Sequence, residues 1–84
     1  MMVQSSIRES DYDRSNDILF FGFVENAKDH AFGDEMADGI VVFKDMDTDT
    51  EKGLLIMSPQ HFLAKRMLDL GKLGYDIDLQ HFMK

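Results

Sequence analysis

Three apolar runs, residues 18–24 (ILFFGFV), 39–43 (GIVVF) and 53–57 (GLLIM), stand between acidic connectors, and the last leads directly into Ser58-Pro59. Runs of four to eight apolar residues bounded by turn formers are too short for helices and read as strands. Ser58 suits a helix N-cap, where its hydroxyl accepts a backbone N–H, and Pro59 suits the first helical position, where a missing donor costs nothing. The order predicts an α+β fold: a small antiparallel sheet of three to four strands, one C-terminal helix packed on a face, and an extended C-terminal tail.

The first run is apolar on both sides. Ile18, Phe20, Gly22 and Val24 point one way, and Leu19, Phe21 and Phe23 the other. Such a strand belongs in the middle of a sheet, or has its second face covered by another subunit. Residues 25–38 fit either a helical turn ended by Gly33 or a strand, and the alternation of Phe32, Asp34 and Met36 favours the strand. Asp38-Gly39 then predicts a two-residue type I′ hairpin turn. In the helix, Phe62, Leu63, Met67 and Leu70 recur at near 3.6 spacing and are expected on the sheet, with Lys65, Arg66 and Asp69 outward and Gly71 as the stop. Tyr75, Ile77 and Leu79 alternate with acids and an amide, which predicts an extended segment.

With 84 residues the chain is expected to form one domain over 11–84, preceded by a flexible terminus over 1–10. It contains no cysteine, so disulfides, zinc-thiolate sites and thiol nucleophiles are excluded. No apolar run approaches the roughly 18 residues that span a bilayer, and a cytoplasmic location is expected. The net charge of -7 is unevenly spread: residues 1–51 hold 13 acids against Arg8, Arg14, Lys28 and Lys44, whereas residues 52–84 hold three acids and five bases. Binding to a polyanion draws on Lys and Arg, so direct nucleic-acid binding is disfavoured and a basic partner, or another copy of the chain, fits better.

The order of the segments resembles the small prokaryotic family known as domain of unknown function 2283. The likeness runs over about residues 12–58: Tyr12-Asp13, then Asp17-Ile18-Leu19, an acidic middle, the strand Gly39-Ile40-Val41-Val42, an Asp-rich turn and the strand that starts at Gly53 and ends near Ser58. Leu55 stands where that family usually has Glu. The resemblance implies an antiparallel sheet backed by a helix and no particular activity.

Motifs with chemical potential are few. Residues 45–51 (DMDTDTE) place carboxylates at alternate positions, but a calcium loop starting at Asp45 would need Gly where Thr50 stands and a bidentate Glu where Ile56 stands. Ser58 and His61 lack a nucleophile elbow and an orienting acid. His30, His61 and His81 are isolated in the sequence, and Asp11, Asp13 and Asp17 suit turn and strand-start roles. No catalytic residue, metal ligand or cofactor is therefore assigned. Surplus apolar groups carry the functional expectation instead, with Phe21, Phe23, Tyr75, Ile77, Leu79, Phe82 and Met83 as partner-binding residues. The chain is expected to be a non-enzymatic interaction or regulatory module, homodimeric and with a basic host protein as a further partner. The rival expectation is a small acidic inhibitor of phage type, whose carboxylates imitate nucleic-acid charge against a nucleic-acid-binding host protein.

Overall fold

The computed structural model describes residues 7–84. Five antiparallel strands form one sheet: β1 (Glu9–Asp13), β2 (Ile18–Gly22), β3 (Ala31–Ala37), β4 (Ile40–Asp45) and β5 (Glu51–Met57), in the order β1-β2-β5-β4-β3. Two helices follow, α1 (Leu63–Lys72) and α2 (Leu79–Phe82). The α+β class is as anticipated, with five strands in place of three to four. The additional strand is β1, which has only Tyr12 as an apolar residue and pairs along β2 from Glu9 against Gly22 to Asp13 against Ile18. An edge strand needs apolar groups on neither face to be held by its ladder, so hydrophobic patterning passes it over. Glu9 and Ser10, within the segment expected to be flexible, thus belong to the sheet, and residues 1–6 lie outside the described residues.

The hairpins close on their own polar groups. Between β1 and β2, the Asp13 carboxylate accepts from the Asn16 backbone N–H at 3.2 Å and from its side-chain amide at 2.7 Å. Between β3 and β4, Asp38-Gly39 makes the expected two-residue turn, but left-handed φ is taken there by Gly39 alone, at 81°, rather than by both residues of a type I′ turn. Between β4 and β5, Asp45 accepts from the backbone N–H of Asp47 at 2.8 Å and of Thr48 at 3.1 Å. Those bonds, the first from Asp47, hold the Asp45 carboxyl below its ordinary pKa.

One sheet face carries the core. Leu19, Phe21, Ile40, Val42, Leu54 and Ile56 point to it and join Leu70 of α1 and Leu79 of α2. The helix differs from the predicted one in its start, its face and its stop. Ser58 has a left-handed φ of 53° and makes no side-chain cap, and α1 begins at Leu63. The free N–H groups ahead of the helix are met from across the fold: Asp17 accepts from Gln60 and His61 at 3.2 Å each, and its own backbone oxygen accepts from the Ser58 N–H at 2.7 Å. At the other end α1 runs through Gly71, and Gly74, with φ 91°, takes the left-handed stop.

The inward side of α1 is formed by Leu63, Arg66 and Leu70, while Phe62 and Met67 are exposed at 45% and 39%. Arg66, expected outward, is 4% exposed. Its Nε donates to the Met57 carbonyl at 2.7 Å, and its guanidinium carbon lies 5.1 Å from the Phe62 ring centre. The spacing of 63, 66 and 70 is as helical as that of 63, 67 and 70, so periodicity alone did not distinguish the two faces.

The extended tail is replaced by a folded segment. Tyr75 and Ile77 are buried in the main core, and α2 buries Leu79 completely. The Tyr75 hydroxyl donates to the Glu51 carboxylate, and its ring stacks on Phe23 at 6.2 Å. Burial first, then this hydrogen bond to a carboxylate, pushes the phenol well above its usual pKa.

Candidate functional site

The helices pack on one face of the sheet, and among the described residues a single loop lies on the other. Register places the side chains of this second face in rows across the strands, because directly paired residues share a face. One row is Asp11, Phe20, Leu55, Val41 and Glu35, from one edge strand to the other. A second is Glu9, Gly22, Gly53, Phe43 and Gly33, and a third is Asp13, Ile18 and Met57. Ile18, Phe20, Val41, Phe43 and Leu55 are half-buried, and Met57 is exposed. The centre is apolar, β1 ends all three rows in a carboxylate, and Glu35 ends the first row in another on β3.

The loop over residues 23–30 folds down onto one part of this face. Ala27 is buried at 1% exposure, and a Cβ at Gly53 would meet Ala27 Cβ at 3.4 Å and the Phe21 carbonyl oxygen at 2.5 Å. Only a glycine admits both the loop and the neighbouring strand there. Between this loop and β1 lies an open cleft of about 320 Å³, lined by Glu9, Ser10, Asp11, Phe20 and residues 26–29. The Phe20 ring meets Phe43 edge-on at 5.9 Å, and Lys28 Nζ sits 4.5 Å from its centre.

The seven residues expected to bind a partner lie elsewhere. Phe21 and Leu79 are fully buried and Tyr75 and Ile77 nearly so, while Phe23, Phe82 and Met83 are half-buried against the same cluster. Phe21 meets Phe82 edge-on at 4.9 Å. In the folded chain they pack with the cluster of the covered face, while Phe20, Val41, Phe43 and Leu55 lie half-buried and Met57 exposed on the opposite face, and further exposed apolar groups, Leu68 and Met46 the most open of them, stand outside these rows. The signal for the opposite face was present in the two-faced alternation of residues 18–24, which states that a second face exists but not which elements leave it bare.

Two polar clusters form through tertiary structure. His30 Nε2 lies 2.8 Å from Asp47 Oδ2, and with Asp45 the three ligand atoms fall within 4.8 Å of one another. The sheet register produces this, since Ala31 pairs with Asp45 and the Met46 N–H donates to the His30 carbonyl. Asp45 already answers two N–H groups, and Lys52 Nζ stands 3.9 Å from its other oxygen. Hydrogen bonds and a lysine thus organise this set. In the second cluster, Asp17 accepts from the Tyr12 hydroxyl at 2.7 Å and faces Gln60 and His61. Desolvation raises the Asp17 pKa, and the bonds from the Tyr12 hydroxyl and the Gln60 and His61 backbone N–H groups outweigh it, leaving the carboxyl below its usual range. Asp17 bonds the backbone of His61, not its ring, which packs edge-on against Phe62 at 4.4 Å.

Compared with family models, curated proteins and solved structures, the chain finds no match in any of the three. Among the described residues, no helix is long and apolar enough to cross a membrane.

Proposed function

We propose that the chain is a non-enzymatic protein-interaction module that offers the uncovered face of its sheet to a basic protein. The observation that carries the reading is the row Asp11, Phe20, Leu55, Val41 and Glu35: apolar contact area in the middle, negative charge at both ends. Apolar burial supplies affinity, and a charged rim of one sign selects a partner of the other. Catalysis and cofactors have no part in this reading, and a cytoplasmic site of action accompanies it on the strength of the sequence alone.

A homodimer through the same face is the less favoured arrangement. Stacking two copies about an axis along the strands sets Asp11 of one against Glu35 of the other, and an axis across the strands sets Asp11 against Asp11. Like charges oppose each other in both cases. Imitation of nucleic-acid charge is a narrower form of the basic-partner reading, favoured by Glu9, Asp11 and Asp13 lying on one face of β1.

The test uses the full chain as bait in extract from its native cell, beside a Leu55→Lys variant with an unchanged urea midpoint. Wild type should retain a basic protein that the variant loses. Equal retention by both would overturn the assignment of the face. Retention that vanishes as salt rises from about 0.15 to about 0.6 M, where screening shortens the reach of exposed charges, marks charge imitation, whereas persistence marks apolar docking. A mass of two chains by light scattering, reduced to one by Leu55→Lys, would replace the basic partner with a second copy.

A further inference from the structure

We propose that the cleft between β1 and the loop over residues 26–29 receives an arginine side chain of the partner, and that Lys28 holds the place of that arginine in the free chain. The inference rests on the uncovered face being the docking surface, and it names the chemistry of the anchor. Phe20 and three acidic residues, Glu9, Asp11 and Asp29, line the cleft. Among the described residues none of these three carboxylates makes an ion pair or a side-chain hydrogen bond, whereas Asp13, Asp17, Asp34, Asp45 and Asp69 each answer a donor within the chain.

The ring face is already used by a cation. Lys28 Nζ lies 4.5 Å from the Phe20 centre, and Lys28 makes no salt bridge among the described residues. A flexible, exposed lysine held by one cation-π contact is easily displaced, since such contacts are weak at exposed sites. Three acids against one base leave the cleft negative even with Lys28 in place. A guanidinium suits it better than an ammonium: its plane stacks on an aromatic face while its edge donates to carboxylates in pairs. At about 320 Å³ the cleft stands at the small end of ligand sites, which fits a single long side chain. Its edge opens onto the apolar row through Phe20, so an arginine seated there belongs to a partner already lying on Leu55 and Val41.

Amide chemical shifts of the full-length chain, titrated with N-acetyl-arginine amide and with its uncharged isostere N-acetyl-citrulline amide, test this. Arginine should shift Glu9, Asp11, Phe20 and residues 27–29 in a saturable manner, and citrulline should not. Asp11→Asn, at an exposed strand position, should weaken binding several-fold, and Lys28→Ala should tighten it by removing the competing cation. Equal response to both amides, shifts scattered over all acidic surfaces, or a Lys28→Ala variant that binds more weakly would each overturn the proposal. The outcome is separable from that of the Leu55→Lys bait: loss of the protein partner in Leu55→Lys with no arginine response defeats the cleft alone, while a cleft response with no Leu55 effect defeats the docking face.

Discussion

The Arg66 guanidinium occupies the space that a side chain at Gly39 would need: a Cβ there would lie 2.5 Å from Nη2 and 2.6 Å from Cζ. The contact joins the middle of α1 to the turn between β3 and β4, and the bond from Arg66 Nε to the Met57 carbonyl locks it to the end of β5. One side chain thereby ties the helix to the ends of two strands.

Gly39→Ala should therefore destabilise the chain by about 3 kcal/mol, combining a left-handed backbone with overpacking against a tethered arginine. Gly71→Ala is the matching control, since a Cβ there meets nothing within 4 Å and the residue is helical. It should stabilise by about 0.5 kcal/mol. Urea midpoints of the two variants, moving in opposite directions, check the pair.

Asp17 links acid sensitivity to the start of the helix. Its carboxyl is held below the usual range in the folded chain, so the stabilisation is present above the unfolded carboxylate pKa and is lost as pH falls through the folded value. Asp17→Asn should lower the urea midpoint at pH 7. The gap from wild type should narrow steadily below about pH 4, where the unfolded carboxyl begins to protonate. A gap that stays constant with pH would assign the loss to geometry and not to charge.

The buried side of α1 can be read by substitution. Leu70→Ala, at 1% exposure, should cost about 3 kcal/mol, and Leu68→Ala, at 59% exposure, should stay within about 0.5 kcal/mol of wild type. Thermal melts of the two, if indistinguishable, would refute this orientation.

Residues after Gly74 act as core. Leu79→Ala should lower stability by about 3 kcal/mol, as for any fully buried leucine. Truncation after Gly74 removes Tyr75, Ile77 and Leu79 together, and cooperative unfolding should be lost with them. Circular dichroism of the truncated chain, still melting in one sharp transition, would contradict this.

Local rules found what they describe. Short apolar runs between turn formers located β2, β4 and β5, the alternation of Phe32, Asp34 and Met36 located β3, and the Asp38-Gly39 pair located a hairpin turn. They missed β1 because its partner, not its composition, makes it a strand. They also placed the partner-binding surface on Phe21, Tyr75 and Leu79, where the structure has core. Apolar character states that a group leaves water, and is silent on whether its own chain or another one takes it in.

The sequence by itself determined the α+β class, an interior strand with two apolar faces and the uneven charge, because each depends on residues a few positions apart. Tertiary structure alone decided that Arg66 turns inward, that Asp17 caps a segment more than 40 residues away, that the last ten residues close the core, and which sheet face stays bare. Those outcomes depend on what a distant element presents, a carbonyl at Met57, a notch at Gly39, a free N–H at Gln60, and such complements exist only once the chain has closed on itself.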